Sequence, residues 1–510
     1  MASVINEGNP VQADGPKLDA DVVVIGAGPA GMSAAIEAAE AGCRVIVIDM
    51  QPAPGGQIYR SIEANFDDTE NTGPLLQALG PTYSAGKALV KKFRSTAGID
   101  YRPNTTVWEL RADGTVGWLN GMSAGFVRGS RIVLANGAME RPIPFPGWTL
   151  PGVMTAGAVQ TLLKAGRLKP EGKIVLAGTG PLIMLLADQL RRLGVRPVLI
   201  ARTDCFADKV KATKKLQPAA IPAITKGLGW IASLKASGIK TCSGVTNIEA
   251  HGDESLTSVS INVGEKRINV ECDMLIVHDG IIPSVDLAHG AGIAMRWNAE
   301  DKSWRPITNE AGLAVVGAGP ALTEGPCRLH VAGDARDIGG AEAAIAYGRF
   351  VGANIACDLG KRAIIDSAQY EATIDKALAI RPFIDTAFPA GLSACLPSDD
   401  TIVCRCEELS AGTLRQAIRD GARDMNLLRG VTRCGMGHCQ GRHCSVTLAR
   451  LLEEQGIKDR SNLPFRARPP LRPIPLGALA NLQAVDPELA HVVFLEDKPE
   501  AVAEGEKHDA

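Results

Sequence analysis

Between residues 21 and 360, short apolar runs alternate with glycine turns and with stretches whose apolar positions recur at helical spacing. Such alternation predicts strands and helices stacked in layers, an α/β architecture. The segment DVVVIGAGPAGMSAAIEAAEAGCRVIVIDM shows it most plainly: an apolar strand, a glycine turn, an alanine-rich helix and a second apolar strand. Residues 173–201, KIVLAGTGPLIMLLADQLRRLGVRPVLIA, repeat the design. Beyond residue 360 the pattern changes. Residues 363–400 hold several prolines and read as a linker or extended arm, and residues 401–460 read as a compact module rich in cysteine. Prolines at 464, 469, 470, 473 and 475 predict an extended arm of the kind that often lies on a neighbouring surface. The polar start and the charged end are expected to be mobile tails. The resulting division is a tail over 1–18, a discontinuous first domain over 19–160 and 300–362, and a second domain over 161–299. The linker 363–400, the module 401–460, and the arm with its tail over 461–510 complete it.

Composition narrows the function more than the fold. A chain of 510 residues is too long for one ordinary core, so two to four domains are expected. A net charge of -2 gives no basic footprint for nucleic acid or for an anionic membrane surface. The start lacks the apolar core of a signal peptide. The longest apolar run, residues 22–39, is broken by glycine, proline and Glu37, so no membrane span is expected and a cytoplasmic location is the default. Of twelve cysteines, seven are scattered and five fall between Cys404 and Cys444. In a reducing compartment that cluster points to metal binding, and the scattered seven read as small buried hydrophobes.

The first glycine turn carries the chemistry of a dinucleotide site. Gly26 permits the tight turn, Gly28 lets a diphosphate approach the backbone, and Gly31 allows close packing of helix on strand. Pro29 and Ala30 open the helix, whose free amides and macrodipole favour phosphate. Asp49, ending the second strand, can bind ribose hydroxyls. A second, distant element favours FAD over NAD. CRLHVAGDARDIGGAEAAIAYGRFVG resembles the second FAD fingerprint of the glutathione-reductase-like flavoproteins. That resemblance implies a ribityl contact from Asp334 after Gly333, and a helix starting at Gly340-Ala341 that points at the flavin. The stretch VLANGAMERPIPFPG looks like the crossover of the same group, with Asn136 and Gly137 at its centre. PGGQIYR, with Gly56 and Gln57, resembles the loop that covers the ribityl–flavin region.

The repeated unit at 173–201 departs from the dinucleotide pattern. Gly178 and Gly180 fit, but the third glycine position is Ile183, and no acid ends the second strand. A branched side chain there disfavours a normal diphosphate seat, so a structural remnant is the expectation. Arg202 leaves a 2′-phosphate, and hence NADPH, open. Before residue 434 there is no CxxC or CxxxxC. Disulfide-reductase chemistry beside the flavin is therefore rejected.

The module opens with C-x-C at Cys404 and Cys406 and closes with Cys434, Cys439 and Cys444 in a glycine-rich turn. Ser410 is placed to cap a helix with Leu414, Ala417 and Ile418 on its apolar face, and a second helix is expected from about Cys444. Glycines 435, 437 and 441 free the backbone to direct amides at cluster sulfides. A [2Fe-2S] cluster needs four thiolates and five are offered; a Cys₄ zinc site is the competing reading. The C-x-C opening and helical insert resemble the bacterioferritin-associated ferredoxin fold, which favours iron. The expected ligands are Cys404, Cys406, Cys439 and Cys444, with Cys434 in reserve. His438 and His443 are expected at the surface.

Taken in order, GAGPAG, PGGQIYR, VAGDARDIGGAEAA, CRCEE and TRCGMGHCQGRHC resemble the large subunit of a group of heteromeric dehydrogenases. It includes opine dehydrogenases, the proline and hydroxyproline dehydrogenase complexes, and hydrogen cyanide synthase. The chain is also similar to part of the α subunit of heterotetrameric sarcosine oxidase. The resemblance spans roughly residues 20 to 480. It implies a glutathione-reductase-like fold with two dinucleotide-binding domains and a small [2Fe-2S] domain. It also implies a separate flavin-containing β subunit, similar to D-amino-acid oxidase, that oxidises a CH–NH or CH–NH2 donor. This chain would then relay electrons through FAD and the cluster, with no catalytic base of its own. A small ferredoxin-like subunit is often present, some members place FMN at the subunit interface, and some hold ATP in place of FAD. Members can carry another residue at the position of Cys434, which is why it stands in reserve. The alternative is a stand-alone NAD(P)H-dependent iron–sulfur flavoprotein reductase.

Overall fold

A computed structural model describes residues 18–317, 327–363, 365–392, 396–457, 464–480 and 482. The two expected tails lie almost wholly outside these residues. Parallel strands Ile99–Arg102, Val45–Ile48, Ala20–Ile25 and Ser123–Leu134 lie side by side, and Arg328–Val331 pairs with the last of them. Val22 stands opposite Val45 on one side and Arg131 on the other, so the central strand is covered at both edges and on both faces. This is why it reads as an unbroken apolar run rather than an alternating one. An antiparallel pair, Thr115–Asn120 and Thr106–Leu110, extends the sheet.

Two helices lie across this sheet, Pro29–Glu40 and Ala341–Asp358, and their contact is made almost without side chains. A Cβ at Gly348 would sit 2.2 Å from the Ala30 carbonyl oxygen, and one at Gly352 would sit 2.4 Å from that of Ala34. Gly333, with φ of +65°, brings its Cα against the Ala30 methyl. The four-residue spacing puts both glycines on one face of their helix, and Ala30 and Ala34 on the facing one. Only residues this small allow the backbones to approach so closely. At the rim, Arg349 and Arg362 both pair with Glu37.

The second domain is a five-stranded parallel sheet in the order Thr241–Cys242, Leu199–Arg202, Ile174–Gly178, Met274–His278, Val153–Thr155. Val153–Thr155, from the stretch assigned to the first domain by pattern, joins this second sheet. Helix Pro181–Arg192 covers one face, and the antiparallel strands Val245–His251, Ser258–Val263 and Lys266–Glu271 belong with the other. Two short strands, Ala138–Glu140 and Ile281–Pro283, pair where the chain crosses between the domains.

Much of the described part of the proline-bearing region 363–400 is helical rather than extended. It forms helices Ser367–Leu378 and Arg381–Ala387, the first capped by the Asp366 side chain. Pro382 stands in the first turn of the second helix, where its missing N–H costs nothing, so it starts a helix rather than breaking one. The cysteine module contains the two expected helices, Ala411–Arg419 and Ser445–Glu454, and a third, Met425–Thr432, capped by Asp424. Its buried residues Leu414, Leu428, Leu448 and Leu451 share one apolar cluster with Val23, Ile46 and Ile132 of the first sheet, so the module is built into that domain.

The described part of the arm, residues 464–480, packs on the surface of this chain. Phe465 fills the space left by Gly435 and Gly441, Leu471 packs beside Gly290 while its N–H donates to the Trp108 carbonyl, and Arg472 pairs with Asp286. No helix among the described residues is long and apolar enough to cross a membrane.

The glycine contact gives the first prediction. Gly348→Val is expected to force the two helices apart, to cost about 1–3 kcal/mol, and to leave the purified chain with little FAD. Gly73→Ala, where a Cβ would meet nothing within 4 Å, is the control and should keep full flavin content. Flavin released per chain on denaturation checks both.

Candidate flavin and iron–sulfur sites

Gly26 adopts φ of +105°, and a Cβ at Gly31 would stand 1.8 Å from the Gly26 carbonyl oxygen, so the turn and the helix start close on each other. Gly28 precedes the helix with no side-chain cap, and Pro29 occupies its first position. The amides of Ala30 and Gly31 are thus left for an anion, as expected of a helix N-terminus. Asp49 is buried beneath the turn. Its Oδ2 accepts the Ala27 N–H at 2.5 Å and its Oδ1 accepts the Gln51 N–H at 2.7 Å. Burial pushes this carboxyl up, and the two amides and Arg60 oppose it. The 54–60 loop closes over the turn: the Gly55 N–H donates to the Ala27 carbonyl, and a Cβ at Gly56 would lie 2.9 Å from the Gly28 Cα. Gln57 accepts from Arg60.

Gly333 meets this group through Ala30, so the two fingerprints, some 300 residues apart in sequence, come together at one place. Asp334 Oδ1 takes the amides of Gly339 and Gly340 at 2.9 and 3.1 Å. It therefore braces the approach to the helix that begins at Ala341, and its Oδ2 carries no hydrogen bond among the described residues. Asn136 donates to the Ser284 carbonyl, and the Gly137 carbonyl accepts the Ser284 N–H, tying the crossover strands together. The Asn136 Oδ1 is buried without a partner. Free helix amides can donate to a diphosphate, the glycine cradle makes room for it, and the orphaned Asn136 oxygen can accept from a cofactor hydroxyl or N–H, so FAD fits here.

The second site is partly covered by the chain itself. The Asp279 carboxylate, just beyond the strand Met274–His278, accepts the amides of Gly391 and Leu392 at 2.9 and 3.1 Å. Gly391 packs on Thr203, immediately after the strand Leu199–Arg202, and Leu392 is buried in this domain's core. Helix Arg381–Ala387 lies along helix Phe206–Thr213. Residues 381–392 thus cover the carboxyl ends of the strands, the place where an open α/β sheet binds its nucleotide. Arg202 is engaged as well: it forms a two-pronged pair with Asp204, which is buried and also pairs with Lys209. Arg202, the residue that could meet a 2′-phosphate, is thus already paired within the chain. The His278 ring stands beside Gly180, with Nδ1 2.7 Å from Glu140, whose other oxygen accepts the Gly157 N–H. This Glu140–His278 pair was not evident in sequence, since its members lie 138 residues apart in different strands.

In the cysteine module the sulfurs of Cys404, Cys434 and Cys444 lie within 4.8 Å of one another, all buried. Cys434, the residue in reserve, therefore lies beside two of the expected ligands. The thiols of Cys434 and Cys444 donate to Cys404, and the amides of Gly435 and Glu407 add to them, holding the Cys404 thiol far below its ordinary range. Cys406 touches Cys439, whose amide opposes the rise that burial imposes on the Cys406 thiol. Gly437 packs on Cys406, where a Cβ would come within 2.2 Å of the Cys406 Cβ. Buried convergent thiols with backbone amides directed at sulfur suit an iron–sulfur cluster. His438 and His443 are exposed, as expected.

Residues 20–305 match the pyridine nucleotide-disulphide oxidoreductase family, and residues 402–454 match the BFD-like [2Fe-2S] binding domain. The chain is 37% identical over 482 residues to one of the subunits of opine oxidase from Agrobacterium tumefaciens, covering 91% of this chain and 92% of that protein. It is 33% identical over 477 residues to the HcnB subunit of hydrogen cyanide synthase from Pseudomonas protegens, covering 89% and 96%. Among solved structures, L-proline dehydrogenase from P. horikoshii superposes with a TM-score of 0.64 at 21% identity, over 90% of this chain and 79% of that one; this is a likeness of fold.

The covered second site predicts that neither NADH nor NADPH, added without oxygen to the chain alone, bleaches its flavin. Bleaching by either nucleotide would contradict this prediction.

Proposed function

The chain belongs to the pyridine nucleotide-disulphide oxidoreductase family and is an FAD- and [2Fe-2S]-containing oxidoreductase subunit of a heteromeric complex; from that premise we propose that it is the electron-relay subunit of an amine or amino-acid dehydrogenase of the opine, proline or hydroxyproline type. When bound, FAD exchanges electron pairs and the cluster exchanges single electrons. The observation that carries the reading is the covering of the second nucleotide crevice by residues 381–392. A chain of this fold with no route for NAD(P)H takes its electrons from elsewhere. A partner is the natural source, since the relatives are named as subunits. The proposed partner is a β subunit with its own flavin, acting on a CH–NH or CH–NH2 donor. A small ferredoxin-like subunit, and FMN at an interface, are further parts of the same proposal. The alternative of a stand-alone NAD(P)H reductase is disfavoured by the same covering and by the engaged Arg202.

On this reading the chain's own residues hold and insulate rather than react. Gly26, Gly28, Ala30, Gly31 and Gly56 form the backbone cradle of the diphosphate, Asp49 supports it from below, and Asp334 and Asn136 offer the remaining polar contacts. Cys404, Cys406, Cys439 and Cys444 are the proposed iron ligands. The module is packed on the first sheet through a shared apolar cluster, which would hold the two centres in one rigid unit.

Two outcomes are expected. The complex purified with its partner should lose flavin absorbance when an opine, proline or hydroxyproline is added without oxygen, while the isolated chain should not. Bleaching of the isolated chain by the amine would contradict the division of labour. Serine substitution at Cys404, Cys406, Cys439 or Cys444 should remove most of the roughly two irons and two sulfides per chain, whereas Cys434→Ser should keep them. Iron and sulfide assays decide, and loss of iron in Cys434→Ser would move Cys434 into the ligand set.

A further inference from the structure

A lysine is buried against the loop that closes over the dinucleotide turn, and no described residue supplies a counter-ion for it. Lys164 is 8% exposed and lies in the widened turn Leu162–Gly166, which follows helix Ala156–Thr161. Its Nζ donates to the Gln57 carbonyl at 3.2 Å and stands 5.7 Å from the centre of the Tyr83 ring. No carboxylate among the described residues lies within ion-pair distance of it. The charge that acts on it is another cation, Arg60, whose guanidinium donates to the side chains of Gln51 and Gln57 and whose Nε is buried without a partner. Asp49, the acid whose field reaches Arg60, has each of its oxygens already bonded to a backbone amide.

A buried ammonium with a single carbonyl acceptor keeps two donors idle, and an unpaired buried charge is strongly disfavoured. Burial, reinforced by Arg60, pushes the Lys164 ammonium down to about 7. The surrounding residues are ordered rather than loose. Asn65 donates both to the Lys164 carbonyl at 2.9 Å and to the Tyr83 hydroxyl at 2.9 Å, and that hydroxyl donates to the Arg60 carbonyl at 2.8 Å. The framework therefore fixes two cations beside Gln57, one residue from the Gly56–Gly28 contact over the diphosphate turn. An anionic group placed there would satisfy both.

We propose that Lys164 is a cofactor-binding residue whose ammonium, supported by Arg60, meets an anionic oxygen of the bound FAD. Two parts of FAD carry such an oxygen: the diphosphate, in either redox state, and the pyrimidine end of the isoalloxazine once reduced. The inference rests on FAD occupying the first site, which flavin content per wild-type chain scores separately.

The test uses the full chain with Lys164→Met and Lys164→Arg. FAD affinity is measured by fluorescence quenching on the flavin-stripped protein, and the flavin midpoint potential by spectroelectrochemistry on the loaded one. Contact with the diphosphate predicts affinity lower by about tenfold or more in Lys164→Met with the potential unchanged. Contact with the reduced ring predicts a more negative potential with affinity for oxidised FAD kept within about twofold. Lys164→Arg should recover most of either loss. Affinity and potential both unchanged in Lys164→Met would overturn the proposal, even if thermal stability fell. A second measurement needs no variant: wild-type chain, stripped and FAD-loaded, is acetylated with an amine reagent and the Lys164 peptide quantified. Protection by FAD is expected, and equal labelling in the two forms would overturn the proposal even if Lys164→Met failed to fold.

Discussion

The contact between Ala30 and Ala34 on one helix and Gly348 and Gly352 on another is the constraint on which the rest of the molecule depends. It sets helix Pro29–Glu40, which follows the first glycine turn, against helix Ala341–Asp358, which follows the second fingerprint. A single added methyl at Gly348 would lie 2.2 Å from the Ala30 carbonyl oxygen. Backbones this close leave no slack, so the two fingerprints form one rigid seat. Gly333, pressed on the same Ala30, carries the constraint on to Asp334.

Much of this was legible from spacing. The unbroken apolar runs, the three glycines and the terminal acid of the first unit describe local structure, and local structure follows from local sequence. The helices capped by Ser410 and beginning at Ser445 were equally readable, because a cap and a helical apolar face are short-range signals. The Gly348–Ala30 contact was not, because a glycine inside a helix pattern does not name the residue it faces. The prolines of 363–400 misled for a related reason: Pro382 suits a helix start as well as an extended arm. Lys164 had a sequence signal, since Ala156, Gln160 and Lys164 recur at four-residue spacing on a face whose other members are apolar. Nothing local says that the face is buried beneath residues 57–60.

The C-terminal third of the chain converts a reductase-like fold to another use. Residues 381–392 lie over the second nucleotide crevice, held by Asp279 and Leu392, and the arm that follows the cysteine module clasps that module to the first sheet through Phe465 and Leu471. One lies against the second crevice and the other fixes the cysteines to the first domain. The glycines at 435 and 441, read from sequence as freeing amides, also make room for Phe465, so they serve the clasp as well as the cluster. The fifth thiol, Cys434, follows helix Met425–Thr432 after one intervening residue and lies within 4.8 Å of the Cys404 and Cys444 sulfurs.

The central claim is that electrons delivered to this chain by a partner reach its own iron–sulfur centre. Low-temperature EPR of the purified complex, frozen at intervals after mixing with the amine substrate without oxygen, tests it most directly. The account predicts that the signal of a reduced [2Fe-2S] cluster grows in within the turnover time, and that it is absent when the partner is omitted. A cluster that stays oxidised through many turnovers, while product accumulates with an added acceptor, would contradict the relay and leave the cysteine module a structural role.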